Sequence, residues 1–293
     1  LTAARGRTSA PTPLVVVSPH LDDAVLSVGA ALAARVDAGG DVVVVTVCSR
    51  VDDGGVRAAE DAASLATLGA RGVHLGLPDA PLRGVPCTHD ALCAADVDDA
   101  LAAAAADALG PWCAGAEVWA PLGCGGHVDH RLCHAAARSL RGASTTAEGA
   151  AAGWAFYEDR PYARAPGVVA ARWRALGAAV FDAVDADDDV DERVAFYCAV
   201  LPGRRAVLPG RRPATPGRLP ARVRHGDEAW LRQRLVVDDE PRARRGRAMA
   251  CHASQRALLF GDGDPHPVAA TDVARRGWPW TDRHEALWRQ EDR

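Results

Sequence analysis

A chain of 293 residues with 48% hydrophobic and 25% charged residues is long enough for one large globular domain, with or without an appendage. Its formal net charge of −4 argues against a general nucleic-acid binder, which would present a basic surface. No apolar run reaches the ~20 residues needed to span a bilayer, and residues 1–13 lack the apolar core of a secretory signal. The expectation is a cytoplasmic protein, with a removed leader left open because position 1 is not Met.

In chain order, the first half alternates apolar strands with Ala-rich helices, the pattern of a parallel sheet with crossover helices. Residues 14–17 read as a buried strand, followed by a helix over 24–38 that Gly39-Gly40 ends. A β-branched strand over 42–47 leads to a helix over 56–68 that stops at Gly69. Residues 73–77 form a third strand, closed by Pro78-Asp79. A long helix over 94–109 follows, with Pro111 expected to block its continuation. Residues 118–120 form a fourth strand, 128–140 a helix and 154–157 a fifth strand. Residues 201–225 are rich in Pro, Gly and Arg and read as a long loop, after which helical patterning returns at 227–235 and 243–260. The fold class is α/β: a doubly wound, mostly parallel, Rossmann-like sheet with helices on both faces and an irregular C-terminal part. The expected division is a core over 1–200, a loop or lid over 201–226 and a helical part packed on the core over 227–293.

Two motifs carry chemistry. Ser18-Pro19-His20-Leu21-Asp22-Asp23 follows the first strand, and Gly125-Gly126-His127-Val128-Asp129-His130 follows the fourth. In a doubly wound sheet the strand order reverses between strands one and four, so both motifs reach the crevice where such sheets bind ligands. A hydrolytic zinc site needs three nitrogen or carboxylate ligands and an open position for water, whose pKa the metal lowers to ~7. His20, Asp23 and His130 are the candidate ligands for one zinc ion (Zn2+) per chain. Asp22 is placed to take a proton from water, His127 to give one to a departing amine, and Asp129 to hold the His127 ring in a useful tautomer.

These motifs resemble the signatures of the PIG-L/LmbE-like zinc N-deacetylases. Further matches are Leu26-Ser27-Val28-Gly29, Arg57 with Glu60, Leu77-Pro78-Asp79, Tyr157-Glu158-Asp159-Arg160-Pro161-Tyr162-Ala163 and His252-Ala253-Ser254-Gln255. The resemblance implies the same ligand set, with Asp22 as general base, His127 as general acid or oxyanion stabiliser and Asp129 as its orienting partner. It places Arg57 and Asp79 where relatives bind sugar hydroxyls. Two departures stand out: Ala24 where many relatives have Glu, and Gly125 where mycothiol-type relatives carry a Tyr that assists the oxyanion. The wording of both motifs is closer to the branch of glycopeptide-antibiotic deacetylases.

The other features point to structure. The acidic run 185–192 has Val190 and Phe196 where a calcium loop needs Gly and Glu, so it reads as a helix start. Arg204, Arg205, Arg211, Arg212, Arg218, Arg222 and Arg224 read as a solvated loop, or as a lid recruiting an anionic substrate. Trp278, Trp280 and Trp288 read as packing residues rather than sugar platforms. The eight Cys include no CxxC, and Cys87 and Cys93 are near enough in sequence to pair.

The expected activity is zinc-dependent removal of an N-acetyl or short N-acyl group from an amino-sugar glycoside in secondary metabolism. The expected partner is that small molecule, with no nucleic acid and no membrane span. The alternatives are a thiol-conjugate or long-chain N-acyl amidase of the same family, and a non-catalytic sugar- or nucleotide-binding module. Retention of Asp22 and His127 disfavours the module, and no GxGxxG follows the first strand to support dinucleotide binding.

Overall fold

In a computed structural model of the chain, the described residues are 12–144, 151–164, 167–185, 218–255 and 284–291. They build a nine-stranded sheet from β1 (Leu14–Ser18), β2 (Val42–Thr46), β3 (Arg71–His74), β4 (Glu117–Pro121), β5 (Gly153–Tyr157), β6 (Ala179–Asp185), β7 (Arg218–His225), β8 (Glu228–Val236) and β9 (His284–Gln290). The spatial order is β3-β2-β1-β4-β5-β9-β8-β7-β6. The first five strands are parallel, with β2 and β4 flanking β1. Beyond β5 every pairing is antiparallel. The sequence therefore announces the doubly wound half correctly, and its irregular C-terminal part is a second, antiparallel half of the same sheet.

Strand alternation sorts the core into two layers. Val15, Val17, Val43 and Val45 pack against α4 (Asp99–Cys113), α5 (Val128–Ser144) and α6 (Val168–Ala175). Leu14, Val16, Val42 and Val44 face α1 (Asp23–Asp37), α2 (Val56–Leu68) and α7 (Asp239–Ala250). Strands covered on both faces read as unbroken apolar runs, which is why β1 and β2 stand out in the sequence. Among the described residues no helix is long and apolar enough to cross a membrane.

Several expected boundaries are corrected. The helix expected over 94–109 is two: α3 (His89–Ala94) and α4, separated where the Asp98 carboxylate accepts the Leu101 N–H at 3.0 Å as an N-cap. Pro111 does not stop α4, which runs on to Cys113; in a last turn a proline removes few hydrogen bonds. Residues 227–235 are not helical but form most of β8, with Trp230 buried and Leu231 exposed. The segment holds good helix formers, but pairing with β7 on one side and β9 on the other satisfies its backbone and overrides that preference. The end of the expected loop, residues 218–225, is strand β7, in which Val223 is buried. Residues 201–217, most of the acidic run, Trp278, Trp280 and the end of the 243–260 helix lie outside the described residues; Asp185 ends β6. Trp288 is fully buried against Trp173, with ring centroids 5.0 Å apart, as a packing residue should be. Cys87 is exposed and Cys93 donates to the Gly125 carbonyl at 3.1 Å, so the two form no disulfide.

The antiparallel half reaches into the first helix. Glu285 of β9, 1% exposed, accepts hydrogen bonds from the Ala30 and Ala31 N–H groups inside α1, at 2.9 and 2.8 Å. Arg245 of α7 donates to the Leu26 carbonyl at 2.6 Å and lies 3.6 Å from Glu285. Gly29 makes this approach possible: a Cβ there would lie 3.1 Å from the Arg245 side chain. A carboxylate and a guanidinium thus enter the hydrogen-bond ladder of the helix whose first turn carries Asp23.

Candidate metal centre

The loop after β1 and the start of α5 after β4 bring the two motifs together, because β1 and β4 are parallel neighbours. His20 Nδ1 lies 3.0 Å from Asp23 Oδ2, and His130 Nε2 lies 3.3 Å from the same oxygen. Ligands held 2.0–2.1 Å from a tetrahedral zinc are about 3.3 Å from one another, which both separations from the Asp23 oxygen approach. The three form one cluster able to hold a metal ion, and His20, His127 and Asp129 form an overlapping one. Two imidazoles and a carboxylate, nearly buried, suit a borderline-soft divalent ion.

Each of the two candidate ligand histidines is braced by a second carboxylate. His20 Nε2 meets Asp129 Oδ2 at 2.9 Å, and His130 Nδ1 meets Asp159 Oδ1 at 2.7 Å. Asp129 also accepts from the Ala80 N–H at 3.0 Å and the Arg83 guanidinium at 2.6 Å. Asp159, fully buried, uses its other oxygen to accept the Gly123 and Cys124 N–H groups at 2.7 and 2.9 Å. Burial disfavours the charged forms of these histidines, but the carboxylates outweigh it: His20 is raised well above its ordinary value and His130 to about 10. A cation entering the cluster takes the place of those protons.

The expected role of Asp129 is corrected by this geometry. Its carboxylate is engaged by His20, Ala80 and Arg83; His127 is instead oriented by the Asp129 backbone N–H, which donates to His127 Nδ1 at 3.1 Å. A main-chain N–H can only donate, so the His127 ring is neutral and carries its proton on Nε2. Burial, with repulsion from His20 and His130, presses His127 down to about 2. Asp22 sits at the N-cap of α1 yet makes no capping hydrogen bond. Its carboxylate is buried beside Arg57, with Oδ1 and Nη2 3.6 Å apart. Arg57 is therefore brought to the site. Asp79 uses its carboxylate to accept the Leu82 N–H at 3.2 Å, within the short turn that carries Arg83.

Asp159 and Arg83 touch the cluster, and motif reading singles out neither. Asp159 lies within the Tyr157–Ala163 match, whose resemblance assigns it no role, and nothing in the sequence distinguishes Arg83 among so many arginines. Glu60 accepts from the Ser254 N–H and hydroxyl at 2.8 and 2.7 Å, docking the turn after α7 onto α2. Gly125 has φ +80°, and a Cβ there would lie 2.3 Å from Tyr162 Cγ, so the tyrosine ring fills the space a side chain at 125 would need.

A carboxylate-braced cluster of side chains that could hold a metal ion thus lies at the switch point of a doubly wound sheet. Residues 15–140 match the PIG-L family model, GlcNAc-PI de-N-acetylase. Solved structures share the fold along almost the whole chain. The A40926 pseudoaglycone deacetylase is 22% identical over 96% of this chain and 97% of its own, with a TM-score of 0.53. The zinc-inhibited form of teicoplanin deacetylase is 23% identical over 96% and 99%, with a TM-score of 0.58. A deacetylase–teicoplanin complex is 20% identical over 96% and 100%, with a TM-score of 0.57. No protein of curated function matches the chain by sequence.

Proposed function

We propose that the chain is a zinc-dependent hydrolase that removes an N-acetyl or other short N-acyl group from an amino sugar within a larger glycoside, of the glycopeptide-antibiotic kind. The observation that carries this reading is the set of three converging donors, His20 Nδ1, Asp23 Oδ2 and His130 Nε2, beside an Asp22 carboxylate free of any capping role. Bound there, zinc would polarise the acyl carbonyl and make water nucleophilic at neutral pH.

The chain's own residues supply the rest. Asp22 accepts a proton from the attacking water, with the Arg57 guanidinium 3.6 Å from its carboxylate. His127 presents Nε2–H as a hydrogen-bond donor where negative charge develops on the acyl oxygen, the second of the two roles the resemblance implied. Asp129 and Asp159 hold the ligand rings so that neither histidine must reorganise. The proton taken by Asp22 then passes to the departing amine.

The test is metal content by elemental analysis, paired with amine release from a panel of free, nucleotide-linked, inositol-linked and glycopeptide-linked N-acetylglucosaminides. About one zinc per chain and release from the glycopeptide-linked member is the expected outcome. Asp22→Asn should keep the metal and lose a factor of about 10²–10⁴ in kcat. An Asp22→Asn protein purified without metal would make Asp22 a ligand, and no release by zinc-loaded wild type from any member would overturn the reading.

A further inference from the structure

We propose that Tyr162 is a specificity-determining residue, an aromatic wall on the His130 side of the metal centre against which the substrate's acyl group lies; this rests on the deacylase reading above. The segment after β5 is pinned to the centre by Asp159, which grips the His130 ring and the Gly123 and Cys124 N–H groups. The Asp159 carbonyl also accepts the Ala163 N–H at 2.8 Å, closing a turn around Tyr162. The tyrosine ring stands edge-on to His130, with centroids 5.5 Å apart and planes at 89°. A Cβ on Gly125 would lie 2.3–2.6 Å from Tyr162 Cγ, Cδ1 and Cβ, so the ring rests directly on the Gly125 backbone. No side chain at 125 could share that space. The wall here comes from the β5 loop, and the same turn that orients a metal ligand fixes its distance from the metal.

Charge distribution says which part of the substrate meets it. Asp22 at the start of α1 and Arg57 in α2 form a charged pair, and their charges would lose solvation against an aliphatic group. His130 is 1% exposed whereas Tyr162 is only half-buried, so of these two touching rings the tyrosine is the more accessible. The apolar tail of an acyl group whose carbonyl reaches the centre therefore runs along the Tyr162 ring, and the ring limits how long that tail can be.

The experiment compares wild type, Tyr162→Phe and Tyr162→Ala, each assayed for metal content, with N-acetyl, N-butanoyl and N-octanoyl forms of one glucosaminide. Tyr162→Ala should keep one metal per chain and shift the octanoyl-to-acetyl ratio of kcat/KM at least about tenfold toward the longer chain, chiefly through KM. Tyr162→Phe should keep the wild-type ratio, because the ring and not the hydroxyl forms the wall. A metal-loaded Tyr162→Ala protein whose ratio stays within about twofold of wild type overturns the proposal. If Tyr162→Ala does not fold, Tyr162→Leu is read by the same criterion. Failure of wild type to release amine from any N-acyl substrate would show itself separately, by sinking the deacylase reading and this one with it.

Discussion

Asp129 and Asp159 perform the same service for two different histidines, His20 and His130. Each takes the ring nitrogen turned away from the metal position, fixing the tautomer and raising the basicity of the other nitrogen. Asp159 does so with no solvent exposure and with both oxygens engaged, so its removal also leaves the Gly123 and Cys124 N–H groups without an acceptor. Asp159→Ala is expected to weaken metal binding by about 10–100-fold, measured by competition with a chromogenic chelator. Unaltered affinity would mean that the packing around His130 alone orients it. The six motif residues were legible because each motif is local and follows an apolar strand. Asp159 stands 29 positions from His130, and Arg83 stands 46 from Asp129, so their pairing exists only once the sheet has formed.

Among the elements, α1 shows how far the C-terminal strand matters to the first motif. Glu285 is buried and accepts two main-chain N–H groups of α1, and Arg245 takes a carbonyl of the same helix. Burial pushes Glu285 up and Arg245 down to about 10, the mark of charges that need each other. Glu285→Ala should cost about 3–5 kcal/mol of stability, because it leaves a buried guanidinium unpaired and two helix N–H groups without their partner. Urea unfolding monitored by Trp fluorescence measures this. Glu285→Gln, which keeps an acceptor oxygen, should lose less; equal losses would show that charge matters more than the hydrogen bonds. Neither contact can be read from α1, whose sequence is an ordinary Ala-rich helix. Strand β8 was missed for a related reason: its Arg, Gln and Leu favour helix locally, and only its two neighbouring strands decide otherwise.

Across the whole molecule, ion pairs tie the antiparallel half to the parallel half. Arg289 of β9 meets Glu117 of β4 at 2.6 Å, Arg141 of α5 meets Glu228 of β8 at 2.6 Å, and Arg232 of β8 meets Glu158 after β5 at 2.6 Å. Half-burial pushes Glu117 upward, but hydrogen bonds from Arg289 and the Trp119 indole win and hold it below the ordinary carboxylate range. Glu228 is lowered in the same way by Arg141. A folded-state value below the unfolded one gives stability that is present above about pH 4.3 and lost as pH falls through the folded value. The melting temperature should therefore drop on acidification from about pH 5 to pH 3, and Glu117→Gln should flatten that drop. Parallel curves for the two proteins would remove Glu117 from the account.

The sequence by itself determined the doubly wound half, the two motifs and their meeting at the switch point. Those features follow from local periodicity and from a topological rule that needs only strand order. Tertiary structure alone decided that the C-terminal part completes the sheet, that Asp129 braces His20 while its backbone orients His127, and that Tyr162 lies on Gly125. These depend on where a carboxylate or a ring points after distant strands have paired, and a side chain's direction is not encoded in its neighbours along the chain.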